Sequence, residues 1–308
     1  MSQTLPFDWS RRTRVDWTTS ESLSDIQDRL RDPLGYNLDD GQLRGIGTIL
    51  NGTDLLFLRA TGGGKSALIY GPLMMEPGIV AIIASPTDLL ESDQVRSMEA
   101  KGVTAVAINQ STLRAAAAAT PSCDLWDEAR KGKYQAIFCS PELLISPAFN
   151  KLLKDKGFSN RLAVFIVDEC HLIAEWKTFR PAYEGMLAMR ARLPVHAAVV
   201  GLTATLAPGK QSGTVCRVLG FVTPNPKNRR RKRSYRMIKE DCERHNIRIV
   251  FQRIEHSVSG LVFKDLDWII HQWNGNLSEM PKTVVYCDTI ELGHRVAKYL
   301  RSLLYFCH

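Results

Sequence analysis

Eight residues, Arg59-Ala60-Thr61-Gly62-Gly63-Gly64-Lys65-Ser66, stand between an apolar run at 55–58 and a stretch with helical character. Glycines in that place let the backbone curl so that successive N–H groups face inward toward anionic oxygens. The helix that follows adds the positive end of its dipole. In such a loop Thr61, Gly62, Gly63 and Gly64 line a nucleotide's phosphates. Lys65 reaches the β- and γ-phosphates, and the Ser66 hydroxyl ligates Mg²⁺. The general phosphate-loop pattern has glycine at position 59, where this chain has Arg59. A second group, Asp168-Glu169, ends the apolar run at 162–167. Asp168 suits Mg²⁺, and Glu169 suits the orientation and deprotonation of an attacking water. Alone, the two carboxylates read equally well as a solvated strand end; the loop upstream favours the site. Thr203 and Thr205 follow a third apolar run, where their hydroxyls can bond to the acidic pair and relay its state. An ordinary turn has the same composition.

The segment from His171 to Tyr183 interleaves Leu172, Trp176, Phe179 and Tyr183 with His171, Lys177 and Arg180. Aromatic faces stack on unpaired bases while cations meet phosphates, which is the chemistry of single-strand binding. Helix-spaced aromatics also serve as core; the neighbouring acidic pair tilts the reading toward function.

These residues need elements to hold them. Short continuous apolar runs at 54–58, 79–84, 104–108, 136–139, 162–167 and 197–202 read as buried strands. Helical stretches at 65–74, 87–100, 111–119, 149–156 and 183–193 alternate with them. Alternation of this kind predicts a doubly wound α/β domain with a parallel sheet and ligands at the carboxyl ends of its strands. Proline, asparagine and clustered charge at 224–236 interrupt the pattern as a linker or exposed loop. Beyond it come a strand at 247–251, a helix at 261–273, a strand at 283–286 and a helix at 290–303, the start of a second α/β unit.

The net charge of +8 invites a nucleic-acid reading, but its distribution matters more than its size. Seven basic residues fall between Lys227 and Arg236; setting them aside from the 40 leaves 33 against 32 acidic residues. That run is either a nuclear-localisation or phosphate-contacting patch, or a solvated insertion, the latter slightly favoured. Seven cysteines, at 123, 139, 170, 216, 242, 287 and 307, form no C-x-x-C pair, which argues against a disulfide framework and a zinc site. No apolar run approaches the roughly 20 residues of a membrane span, and the N-terminus has no signal-peptide core. An intracellular protein is expected, in the nucleus if the source is eukaryotic and otherwise in the cytoplasm.

Together these motifs resemble the RecQ family of DNA helicases, within helicase superfamily two, from about Pro33 to Leu303. Gly41-Gln42 resembles the family's adenine-sensing motif, which implies that Gln42 contacts the nucleotide. Ala60 to Ser66 matches the first motif, which has no glycine at the place of Arg59. Ser85-Pro86-Thr87 through Asp93-Gln94-Val95 is similar to the next, DNA-contacting motif, which assigns Ser85 and Gln94 to DNA. Ser140-Pro141-Glu142 resembles the short motif after it. Asp168-Glu169-Cys170-His171 stands where the family usually has Asp-Glu-Ala-His. His171, Trp176, Phe179 and Arg180 fall in a stretch similar to the aromatic-rich loop that couples DNA contact to hydrolysis, and Thr203-Ala204-Thr205 fits the third motif. Arg244 to Arg248 and Val284 to Cys287 fit the start of a second motor lobe.

The resemblance implies a flexible extension over 1–32, a RecA-like ATP-binding domain with a doubly wound parallel sheet over 33–222, a basic linker over 223–245 and a partial second RecA-like lobe over 246–308. It implies ATP and Mg²⁺, single-stranded or forked DNA as partner, 3′-to-5′ unwinding, and lysine and carboxylate chemistry from Lys65, Asp168 and Glu169. Asp39 stands where the adenine-sensing motif usually has arginine, which implies weaker base selectivity. The later motifs of the second lobe, with the arginines that reach the γ-phosphate, and the zinc module have no counterpart here. A C-terminally truncated chain with slow turnover is therefore expected. The alternatives are a degenerate fragment that binds nucleotide and DNA without catalysis, and a P-loop ATPase unrelated to nucleic acid.

Overall fold

The strand-forming runs of this chain are apolar at every position, so they must be covered on both faces. The computed structural model, which describes residues 15–86, 88–175, 181–221, 235–243, 247–272 and 279–306, shows how. Its elements run α1 (Ser20–Leu34), α2 (Asp40–Leu50), β1 (Leu55–Leu58), α3 (Ala67–Met75), β2 (Val80–Ala84), α4 (Asp88–Glu99), β3 (Ala105–Ile108), α5 (Gln110–Ala118) and α6 (Leu125–Arg130). Then come β4 (Ala136–Cys139), a 3₁₀ turn (Leu143–Ile145), α7 (Pro147–Lys154), α8 (Lys156–Arg161), β5 (Leu162–Val167), α9 (Leu172–Glu175), α10 (Pro181–Arg192), β6 (Ala198–Thr203), α11 (Lys210–Val218) and β7 (Arg236–Lys239). The strands form one sheet in the order β3-β4-β2-β5-β6-β1-β7, and every neighbouring pair is parallel. This is the doubly wound α/β architecture expected, with strand boundaries within two residues of those read from the apolar runs.

Period-two alternation sorts the strand side chains into two cores. Leu55 and Phe57 join Ile46, Leu68 and Ile83 on one face, while Leu56 and Leu58 join Phe149, Phe158 and Phe165 on the other. Both faces are dry, which is why the strands carry no polar alternation.

Two boundaries differ from expectation. Residues 20–34, inside the segment expected to be a flexible extension, form α1. Ile26 and Leu30, one turn apart, are buried against the sheet's helical cover, and Thr19 and a left-handed Gly35 cap the ends. Residues 236–239, inside the expected linker, form β7 on β1, with Ile238 buried between exposed Met237 and Lys239. The basic run at 227–236 lies almost wholly outside the described residues.

The chain divides into two compact units, Met1–Arg244 and His245–His308. The second holds α12 (Trp268–His271) and α13 (Ile290–Phe306), with Phe263 meeting the Tyr299 ring edge-on at 5.8 Å and Arg295 donating to the carbonyls of Val258 at 3.0 Å and Gly260 at 2.7 Å. The strands expected at 247–251 and 283–286 do not form; among the described residues this unit has no ladder. Phe251 is 94% exposed and Tyr286 91%. A pair of short strands is marginal in water without a third strand or a covering helix. Among the described residues no helix is long and apolar enough to cross a membrane.

Candidate active site

Three adjacent strands, β5, β6 and β1, deliver the predicted chemical groups to one edge of the sheet. Leu58 of β1 is in register with Thr203 of β6, and Val167 of β5 with Gly201 of β6. Past those residues the backbones stay tied to β6: Arg59 N donates to Thr203 O at 3.0 Å, and Cys170 N to Leu202 O at 2.9 Å. The phosphate-loop candidate and the acidic pair therefore hang from opposite sides of the same strand, at the carboxyl edge where doubly wound sheets bind ligands.

In the loop, Gly62 and Gly64 take φ of 78° and 81°, backbone that a Cβ would strain. Lys65 Nζ donates to Arg59 O at 3.2 Å and Ala60 O at 3.5 Å, so its ammonium is folded over the loop's own concave side. The Ser66 side chain is exposed at the mouth of α3 and makes no capping bond. Helix α2 approaches from the side. Asp39 caps it in a reciprocal box, Gln42 N donating to Asp39 Oδ1 and Asp39 N to Gln42 Oε1, both at 3.0 Å. The other end of the Gln42 amide donates to Gly64 O at 3.0 Å. Arg59 makes a bidentate pair with Asp39, at 2.8 and 2.6 Å. Burial opposes ionisation of Asp39, yet the Arg59 hydrogen bonds and charge, with the Gln42 N–H, hold its carboxyl below the usual range. The Asp39 carboxylate in turn raises the Arg59 guanidinium.

Opposite the loop, Asp168 is 9% exposed and accepts from the Glu169 N–H at 3.0 Å and from Gln94 Nε2 at 3.1 Å. Each carboxylate oxygen keeps a further acceptor site. Glu169 has φ of 47°, unusual for a residue with a side chain. That backbone turns its carboxylate toward His171, whose Nδ1 lies 3.3 Å from Glu169 Oε2 and 2.8 Å from Thr203 Oγ1. Thr203 Oγ1 donates to Thr205 O at 3.0 Å and accepts from Thr205 N at 3.2 Å. With its proton spent on Thr205, Thr203 must accept from His171, which assigns the proton to Nδ1. Thr205, Thr203 and His171 are thus hydrogen-bonded in series and the imidazole lies 3.3 Å from the Glu169 carboxylate, so the threonines approach the acidic pair through an imidazole and not directly. Cys170 is fully buried, and burial pushes its thiol far above the ordinary value, which makes it packing and not a nucleophile.

Among the described residues, no group of three or more His, Cys, Asp or Glu forms a cation cage. Mg²⁺ usually takes one or two protein oxygens beside phosphate oxygens and water, and Asp168 with the exposed Ser66 hydroxyl fits that requirement.

The remaining expected residues fare differently. Ser85, expected to touch DNA, is fully buried, with no partner for its Oγ among the described residues. It follows directly on β2, its N–H bonded to Cys139 O at 3.2 Å, so the buried strand before it also sinks it below the surface. Gln94, also expected at DNA, turns inward to Asp168. His171 bridges Glu169 and Thr203. Trp176, Phe179 and Arg180 lie outside the described residues. Sequence reasoning missed the contact between Asp39 and Arg59, although their opposite charges, one at a departure from the family pattern and the other at a departure from the general phosphate-loop pattern, were its signal. It also missed Glu91, a carboxylate buried on α4 that accepts from Asn109 Nδ2 at 2.8 Å at the end of β3.

Comparison with known proteins bears on the family and the fold. The family model described as DEAD/DEAH box helicase matches residues 39–212. The chain is 32% identical over 185 residues to a probable ATP-dependent DNA helicase, RecS, of Bacillus subtilis, covering 59% of this chain and 35% of that protein. It is 31% identical over 179 residues to the ATP-dependent DNA helicase RecQ of Haemophilus influenzae, covering 57% and 27%. The ATP-dependent DNA helicase Q5 of Rattus norvegicus is 29% identical over 252 residues, covering 81% and 24%. The chain thus spans about a third or less of the length of the curated relatives it matches. Among solved structures, the DUF1998 helicase MrfA bound to DNA and AMPPNP superposes with a TM-score of 0.65 at 13% identity, over 93% of this chain and 39% of that one. At that identity the likeness speaks for the fold.

Proposed function

The chain belongs to the DEAD/DEAH box helicase family, and from that premise we propose that it is the motor portion of a RecQ-type DNA helicase, binding ATP with Mg²⁺ and single-stranded or forked DNA and moving 3′ to 5′. The observation that carries the reading is His171, hydrogen-bonded to Thr203 and 3.3 Å from Glu169, which sets the acidic pair at the end of β5 beside the strand that also anchors the phosphate loop.

The roles follow from where each group sits. Loop N–H groups and Lys65 would hold the triphosphate, the lysine exchanging its loop carbonyls for phosphate oxygens. Mg²⁺ held by Ser66 and Asp168 would supply charge neutralisation on the β- and γ-phosphates. Gln94 fixes the Asp168 carboxylate, so its direction is set before any ligand arrives. Glu169 orients the attacking water and takes its proton. His171 Nδ1 donates to Thr203 Oγ1 and lies 3.3 Å from Glu169 Oε2, so a shift of Thr203 is felt beside the Glu169 carboxylate. We place Trp176, Phe179 and Arg180 against the bases and phosphates of a single strand. Trp176→Ala should leave nucleotide affinity unchanged and lower the response to DNA.

A second reading has its own observation. A helicase motor needs two folded lobes to close on ATP, and the second unit has no ladder among its described residues, with Phe251 and Tyr286 almost fully exposed. By that reading this chain binds nucleotide and DNA without movement. Steady-state ATP hydrolysis with and without single-stranded DNA separates the two. Stimulation by DNA, lost in Glu169→Gln, supports the motor; ATP binding with no hydrolysis at any DNA concentration supports the binder.

A further inference from the structure

Glu240 stands inside the segment expected to be a linker, yet the sheet carries it to the rim of the phosphate loop. Strand β7 pairs with β1 through Lys239 against Leu58, and one residue on, Glu240 N donates to Leu58 O at 2.8 Å. Glu240 is thereby beside Arg59, the first residue of the loop. Its side chain reaches over the first turn of α2. A Cβ built on Gly41 would lie 2.6 Å from Glu240 Oε1, 2.7 Å from its Cδ and 3.0 Å from its Cγ, and these are the three nearest heavy atoms. Gly41 is an ordinary helical residue of α2, so glycine at that position serves to make room for the carboxylate. Arg59 feels the charge of Glu240, but its guanidinium is engaged with both oxygens of Asp39. The Glu240 carboxylate is half-buried and accepts no hydrogen bond from a described residue. Its acceptor positions, about four, are left for donors from outside the protein.

The order of the strands says what faces that carboxylate. The acidic pair follows β5, the loop follows β1 and Glu240 follows β7, in the sequence β5-β6-β1-β7 along one edge of the sheet. Attack of water on a terminal phosphate sets that phosphate beside Asp168 and Glu169. The other end of a triphosphate seated in the loop, its sugar and base, then leaves on the side of β7. The donors it carries are the sugar hydroxyls and a base amino group, and an ionised carboxylate is an acceptor only. We infer that Glu240 is a nucleotide-binding residue whose carboxylate accepts hydrogen bonds from the nucleoside half of the ligand. The inference rests on the proposed reading of residues 61–66 as a phosphate site.

Inorganic tripolyphosphate separates the two halves of the ligand. Displacement of a fluorescent ATP analogue by ATP and by tripolyphosphate, each with Mg²⁺, is measured on the full chain, on Glu240→Ala and on Gly41→Ala. Glu240→Ala should weaken ATP by about tenfold, the scale of one hydrogen bond to a charged group, and leave tripolyphosphate within about twofold. Gly41→Ala should do the same, because its Cβ displaces the carboxylate, while raising stability in urea, alanine being the better helix former. In the Glu240→Ala background it should change ATP affinity no further. Triphosphates of 2′,3′-dideoxyadenosine and of purine riboside, which lacks the amino group, identify the donor: the one missing the contact should bind Glu240→Ala and the unaltered chain alike. Equal weakening of ATP and tripolyphosphate in Glu240→Ala marks a structural role and overturns the inference, as does unchanged ATP affinity or full sensitivity of both analogues. Failure of ATP and tripolyphosphate alike to bind the unaltered chain overturns the phosphate-site reading and the inference with it.

Discussion

Glu169 occupies left-handed backbone that costs a residue with a side chain about 1–2 kcal/mol, and it does so at the place where its carboxylate must meet His171. Backbone strain of this kind persists when a site depends on the direction it imposes. Two substitutions separate the backbone from the side chain. Glu169→Ala keeps the strain and Glu169→Gly relieves it, so chemical denaturation should find the glycine variant more stable by about 1 kcal/mol. Both should bind ATP and lose hydrolysis by a factor of about 10²–10⁴, the usual worth of a positioned base. Thr203 offers a second test. Its hydroxyl is buried and bonded to His171 and Thr205, so Thr203→Val strands the His171 proton donor and the Thr205 N–H. The cost should be about 1–3 kcal/mol of stability, read in urea, with the response of hydrolysis to DNA reduced more than nucleotide affinity.

Helix α2 and the phosphate loop act as one element because Asp39, Arg59 and Gln42 join them, and acid should unpick the joint. The folded Asp39 carboxyl lies below its ordinary value. Its contribution is complete above the unfolded value of about 3.9 and is lost as pH falls toward the lower, folded one. Other carboxylates lose stability in the same window, so the measurable quantity is the difference between the unaltered chain and Asp39→Asn. That difference should be constant from pH 7 to about 5 and shrink as pH falls toward 3. Helix α1 belongs to the same body. Ile26→Ala should cost about 2–5 kcal/mol in denaturant titration, as for any buried isoleucine; a cost under about 0.5 kcal/mol would make α1 the loose extension that its position suggested.

At the scale of the molecule, the first unit was legible wherever burial was total. Its strands are apolar at every position because helices cover both faces, so runs such as Leu162–Val167 marked their own ends. Where burial is one-sided the signal failed: α1 fully buries only Ile26 and Leu30, and β7 only Ile238, so a polar-looking sequence concealed both. In the second unit the opposite error occurred. Apolar runs at 247–251 and 283–286 have the composition of strands, but a strand needs partners that composition does not supply. The phosphate loop and acidic pair could be named from residue types alone. That Gln94 turns inward to Asp168, that Ser85 is buried, and that Asp39 answers Arg59 are matters of which strands lie side by side, and the order β5-β6-β1 is not written in any local pattern. The whole account turns on that edge being a triphosphate site, and calorimetric titration of ATP with Mg²⁺ into the unaltered chain and into Lys65→Ala tests it most directly. Saturable one-to-one binding in the first, weakened by at least about tenfold in the second as a charge-assisted contact requires, is the predicted result. Equal affinity in both, or none in either, would contradict it.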